Sequence, residues 1–133
     1  MLKKYIFTIL FIGWVMLITF LSLFSFPDVG PDTDEIPHLD KAAHFVFYFV
    51  FAIAACLMIR ERSNWKIAMK NGIRFSLIAA ILYGIIIEVL QNTFTQDRMA
   101  ETGDVIANTL GAFAGVLLIK WYFSKERPLK WKF

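Results

Sequence analysis

Four runs of apolar residues, at about 5–26, 42–59, 73–94 and 105–123, constrain this chain more than any other feature. Each is near the ~20 residues that carry an α-helix across a ~30 Å hydrocarbon core. A chain of 133 residues, 58% of them hydrophobic, has almost nothing left for a soluble domain. The sequence therefore reads as a single all-α domain over 1–133, an integral membrane bundle of four transmembrane helices. The mean hydropathy of +0.58 agrees. Lys3 and Lys4 precede the first run as they would in a secretory signal, but the run is too long for a signal core. It ends in LSLFSFPD, which lacks a small-residue cleavage pattern, and so reads as a retained helix.

Of the 14 Lys and Arg residues, only Lys41 and Arg98 fall in the two connections that would lie outside if the N-terminus is inside. This positive-inside bias predicts that both termini lie in the cytoplasm. The outer connections are acidic, with Asp28, Asp32, Asp34, Glu35, Asp40, Asp97, Glu101 and Asp104. The basic pI of about 9.1 thus follows from topology, and no nucleic-acid partner is needed to explain it. Pro27, Gly30, Pro31 and Pro37 predict an extended first outer loop. On the inner side, Trp65 and Met69 predict a short amphipathic stretch, and the tail KERPLKWKF suits the headgroup region. A lone cysteine, Cys56, makes no internal disulfide.

Helical spacing then selects which polar groups share a face. Lys41, His44 and Tyr48 recur at steps of three and four, continued inward by Ala52 and Ala55. Ala80, Gly84, Glu88 and Gln91 repeat the scheme in the third run, and Asp104, Asn108, Gly111 and Gly115 in the fourth. His44, Glu88 and Asn108 each lie about 6 to 9 Å inside the outer end of their helix. One polar layer from three helices predicts a cavity open to the outside. Gly84, Gly111 and Gly115 are read as packing positions, because small residues let membrane helices approach closely.

Glu88 carries the most information, since a charged carboxylate at that depth costs about 2 to 3 kcal/mol unless paired, hydrated or protonated. His44, Lys41 and Arg98 are its candidate partners, and spacing does not choose among them. His44 with Glu88 forms a candidate acid/base pair, the alternative for each being an interhelical hydrogen bond that fixes packing. Asp104 is either a ligand-binding residue or a helix N-cap, and Asn108 either a ligand-binding residue or a partner of Asp104 one turn away. Arg98 is either a headgroup anchor or a ligand for phosphate or carboxylate. Asp40 is assigned as a helix cap. His44, Glu88 and Asp104 form a possible zinc set, but their spacing is not diagnostic, so no metal and no cofactor is expected.

DKAAHFVFYFVFA from Asp40, EVLQ from Glu88 and RMAETGDVIANTLGAFAG from Arg98 together resemble the VanZ-like family of small bacterial membrane proteins. The order D-K-x-x-H-F, E-x-x-Q, arginine, D-x-x-x-N-x-x-G is that of the family, although the proline often found between the glutamine and arginine motifs is replaced here by FTQDR. The resemblance implies a polar signature at Asp40, Lys41, His44, Tyr48, Glu88, Gln91, Arg98, Asp104, Asn108 and Gly111. It also implies a link to resistance against the glycopeptide teicoplanin, for which the family is named, without implying a reaction.

Two functions compete. In one, Lys41 and Arg98 hold the phosphate of an envelope lipid, glycolipid or lipid-linked precursor, Gln91 and Asn108 hold its sugar or peptide amides, and His44 with Glu88 moves protons. In the other, the polar layer recruits a membrane-protein partner or a second copy of the chain as a non-enzymatic accessory subunit. Transport is disfavoured because the inner halves of the runs contain no Asp or Glu.

Overall fold

The computed structural model describes residues 2–23, 39–94 and 102–133, apart from the side chains of 39, 40 and 94. Arg98 and both outer connections, with the expected extended loop, lie outside the described residues. Among the described residues the regular structure is helical throughout: α1 (Ile6–Leu23), α2 (Leu39–Arg62), α3 (Met69–Phe94) and α4 (Thr102–Phe123), after one short 3-10 turn at Leu2–Lys4. All four α-helices are long and apolar enough to cross a membrane. In hydrocarbon no water satisfies the backbone, so the helix, which pairs its own amides, is the form these runs must take.

The helices alternate in direction. Glu61, at the end of α2, accepts hydrogen bonds from the amides of Phe7 and Thr8 at the start of α1, both at 3.0 Å. Tyr48 of α2 meets Gly84 of α3, while His44, earlier on α2, meets Glu88, later on α3. α2 and α4 run parallel, because a Cβ placed on Gly111 would collide with the Phe45 carbonyl and one placed on Gly115 would approach the Phe49 carbonyl to 2.6 Å. Both partners advance by one turn together. This is the most extensive helix interface in the bundle, and glycine there lets one backbone rest against the other.

α1 packs more loosely. Among its side chains only Ile18 and Ser22 are buried, and it is fastened by Trp14 Nε1 donating to the Phe47 carbonyl at 2.9 Å and by the Thr19 and Tyr83 hydroxyls. Phe11, Phe51, Tyr83 and Tyr48 form a connected set of ring contacts across α1, α2 and α3. Deeper in the bundle, the Cys56 thiol donates to the Ser76 hydroxyl at 3.2 Å.

The inner connection differs from the amphipathic stretch expected around Trp65 and Met69. α2 continues to Arg62 and α3 already begins at Met69, so the polar ends of both helices absorb most of that segment. Asn64 and Trp65 turn the chain with left-handed backbone angles, φ 49° and 66°, and the Trp65 amide closes the helix end on the Arg60 carbonyl. Asn is one of the few residues that adopts this conformation readily.

The C-terminal tail is also more than a headgroup anchor. Its Trp131 is buried, donates to the Ile67 carbonyl at 2.8 Å and packs edge-on to Phe123. The Met69 amide donates to the Lys132 carbonyl at 2.7 Å, so the tail satisfies a donor at the start of α3. Gly72 leaves the space that the Trp131 ring fills. The chain's start, its tail and the α2–α3 connection therefore share one end of the bundle.

Candidate functional site

The opposite end gathers the polar layer. Lys41, His44 and Tyr48 come from the first half of α2, Glu88 from the last two turns of α3, and Asp104 and Asn108 from the first two turns of α4. The parallel seating of α4 on α2 sets their heights. Because Gly111 lies against Phe45, Asn108 falls one turn nearer the helix starts and level with His44. Their side chains join, Asn108 Oδ1 lying 3.0 Å from His44 Nδ1. The structure thus gives Asn108 a partner that neither reading named, His44 across the helix interface.

His44 stands at the centre of the group. Its Nδ1 is 3.9 Å from Glu88 Oε1, and its Nε2 is 3.8 Å from Asp104 Oδ2. His44, Glu88 and Asp104 each retain only 4% of their exposure. Lys41 is at the rim, its side chain 37% exposed and its Nζ 3.9 Å from Asp104 Oδ1. Such separations are ion-pair distances, longer than hydrogen bonds.

The mouth of the expected open cavity would be bounded by the outer connections, which lie outside the described residues. Close approach of α2 and α4 at glycine brings the polar groups against one another, and Lys41 is the member of the layer that stays half exposed. Gly84 serves the polar layer directly: a Cβ there would stand 3.1 Å from Asn108 Nδ2 and 3.3 Å from the Tyr48 ring. The room left by the missing side chain is taken by these two groups. Tyr48 is buried to 1% exposure, and its hydroxyl, like Asn108 Nδ2, has no hydrogen-bond partner among the described residues.

The remaining site residues fall in different places. Gln91 donates from Nε2 to the Ser22 carbonyl at 2.8 Å, which ties α3 to the last turn of α1. Asp40 and Asp104 both lie inside the first turn of their helices, since α2 starts at Leu39 and α4 at Thr102. Asp104 does not precede its helix as an N-cap does, although an acid in the first turn still complements the positive helix end, and the Asp40 side chain lies outside the described residues. Glu61 was not singled out in the sequence. Its signal was present, a lone acid within the basic segment RERSNWK.

What the sequence could not display is convergence. His44, Glu88 and Asp104, one from each of three helices, present ligand atoms that all lie within 4.8 Å of one another. An imidazole and two carboxylates in such proximity can share or move a proton, or converge on a cation.

No curated protein and no solved structure matches the chain. The VanZ/LLP1 family matches it over residues 4–123, which takes in all of α1 to α4 apart from the tail that docks Trp131. With four membrane-length helices and a polar layer set by the D-K-x-x-H and D-x-x-x-N motifs, this chain belongs to the VanZ/LLP1 family.

Proposed function

We propose that the protein sits in the bacterial cytoplasmic membrane with its polar cluster toward the outer leaflet, where it binds or modifies the phosphate-bearing headgroup of an envelope lipid or glycolipid. The observation that carries this reading is one buried group, His44, Glu88, Asp104 and Asn108, assembled from three helices at the acidic end of the bundle and rimmed by Lys41. Ionisable groups inside a membrane are costly and are retained at binding and proton-transfer sites. Structural adhesion alone would be met more cheaply by the glycine contacts that already join α2 to α4.

The basic residues at the other end favour a cytoplasmic location for both termini. Lys41 is the cation placed to meet a phosphate at the rim, Asn108 contributes an amide, and His44 beside Glu88 supplies a proton donor and acceptor. A role in susceptibility to glycopeptides such as teicoplanin accords with a headgroup ligand at the outer leaflet.

The test is an inventory by mass spectrometry of lipids that copurify with the wild type and with Glu88→Gln, run beside an envelope-stress and teicoplanin assay. Glu88→Gln and His44→Ala are expected to lose both the enriched lipid and any envelope phenotype while protein levels stay unchanged. Wild-type lipid content and behaviour in both variants would sink the proposal.

A further inference from the structure

In the sequence, His44, Glu88 and Asp104 are a possible metal set without diagnostic spacing. Their arrangement in space gives a different answer. His44 Nε2 lies 3.8 Å from Asp104 Oδ2, longer than a hydrogen bond, and one ligand atom from each of the three residues falls within 4.8 Å of the other two. A cation bound at ~2.1 Å to each of its ligands holds tetrahedral ligand atoms ~3.4 Å apart. Closing that difference takes side-chain shifts of up to about an ångström. The three residues come from three helices held by glycine-mediated packing, so the group is preassembled.

Orientation supplies a second argument. With His44 Nδ1–H donating to the Asn108 carbonyl oxygen at 3.0 Å, the imidazole lone pair lies on Nε2, the nitrogen that faces Asp104. Metal-ligating histidines are commonly oriented in this way, by an acceptor on the other ring nitrogen.

A third, independent observation points to a ligand that is not protein. The Tyr48 hydroxyl and Asn108 Nδ2 are buried without a hydrogen-bond partner among the described residues, and their side chains meet beside Gly84. Buried donors left unmatched cost about 1 to 3 kcal/mol each. An oxygen atom held beside the three ligands, from water or from a bound headgroup, would accept from them.

We propose that His44, Glu88 and Asp104 bind one divalent cation of the zinc or manganese class, with Asn108 as a positioning residue that orients His44 and with one coordination position open. Two carboxylates by themselves repel a phosphate, whereas a cation between them attracts it. This last step, and only this step, rests on the headgroup reading.

The experiment uses the full chain purified in detergent, stripped with a chelator, then titrated with Zn2+, Mn2+ or Mg2+ and desalted before metal analysis. About one equivalent of zinc or manganese per chain is expected, with a raised melting temperature, and Co2+ substitution should show a visible spectrum of mixed nitrogen and oxygen ligation. His44→Ala, Glu88→Gln and Asp104→Asn should each weaken binding about 100-fold or more, and Asn108→Ala about 10- to 100-fold. Glu61→Gln, at the far end, should bind as the wild type does. Each variant is compared with chelated wild type, so a loss of fold registers as a lower melting temperature and not as a lost site.

A wild type that retains no zinc or manganese, or full affinity in all three ligand variants, overturns the proposal. Lipid analysis of the same samples separates the two readings. Metal bound without an enriched phospholipid upholds the cation and refutes the headgroup, while an enriched lipid on protein that takes up no metal does the reverse.

Discussion

The two ends of this bundle treat their charged groups in opposite ways. At the basic end, Glu61 accepts from the Phe7 amide, the Thr8 amide and the Thr8 hydroxyl, at 3.0, 3.0 and 2.7 Å. Arg60 donates from Nε to the Lys130 carbonyl at 2.9 Å and lies over the rings of Trp65 and Phe123, although its Nη2 finds no hydrogen bond. These charges finish helix ends and fasten the tail. At the acidic end the charged groups are held at 3.8 to 3.9 Å from one another, and two neutral polar atoms beside them stay unmatched.

On the proposed reading, the difference separates charge used for stability from charge kept for a ligand. A carboxylate at a helix N-terminus gains from orphan amides and from the helix dipole, and nothing further is required of it. A carboxylate buried beside imidazole at longer range is poised for a change of partner. A cavity of about 630 Å³ also lies at the basic end, lined by residues including Trp65, Phe123, Lys125, Lys130 and Trp131. It is remote from the polar cluster, and its lysines suit the anionic inner surface.

Three substitutions test this contrast, in falling order of effect on stability. Trp131→Ala removes a buried ring and the hydrogen bond to Ile67, and should cost about 3 kcal/mol. Melting in detergent together with limited proteolysis of the tail checks it; a tail as protected as in the wild type would mean that the basic end is held by other contacts.

Glu61→Ala frees the first amides of α1 and should cost about 1 to 2 kcal/mol. Hydrogen exchange at Phe7 and Thr8 is the direct readout, with faster exchange confined to the first turn of α1. Unchanged exchange would show that the cap is dispensable.

Tyr48→Phe should be nearly neutral, within about 0.5 kcal/mol of the wild type, or slightly stabilising, because it deletes a buried hydroxyl that makes no hydrogen bond. The ring contacts with Phe51 and Tyr83 remain in the variant. A loss above about 1 kcal/mol in ligand-free protein would mean that the hydroxyl is satisfied, and the contrast between the ends would weaken.

Much of the architecture is legible in the sequence. The four apolar runs became α1 to α4, with ends displaced by up to a few residues because helices run on past the apolar stretch until a turn stops them, as Asn64 does after α2. Periodicity also put His44, Glu88 and Asn108 on the right faces at similar depths. It did not reveal that Gln91 reaches the Ser22 carbonyl or that Asn108 holds His44. Those contacts depend on the rotation and sliding of one helix against another. Nor did a basic tail announce that Trp131 would fill the space over Gly72.

The sequence by itself determined that the chain is a membrane helical bundle, since apolar runs of this length have no other way to satisfy their backbone. It determined too that polar side chains face inward at one end, because helical spacing fixes which residues share a face. Only the tertiary structure decided which of them meet. The reason lies in Gly111 and Gly115, whose missing side chains let α4 settle on the Phe45 and Phe49 carbonyls of α2. That single seating sets the height of Asp104 and Asn108 against His44, and so turns three separate motifs into one site.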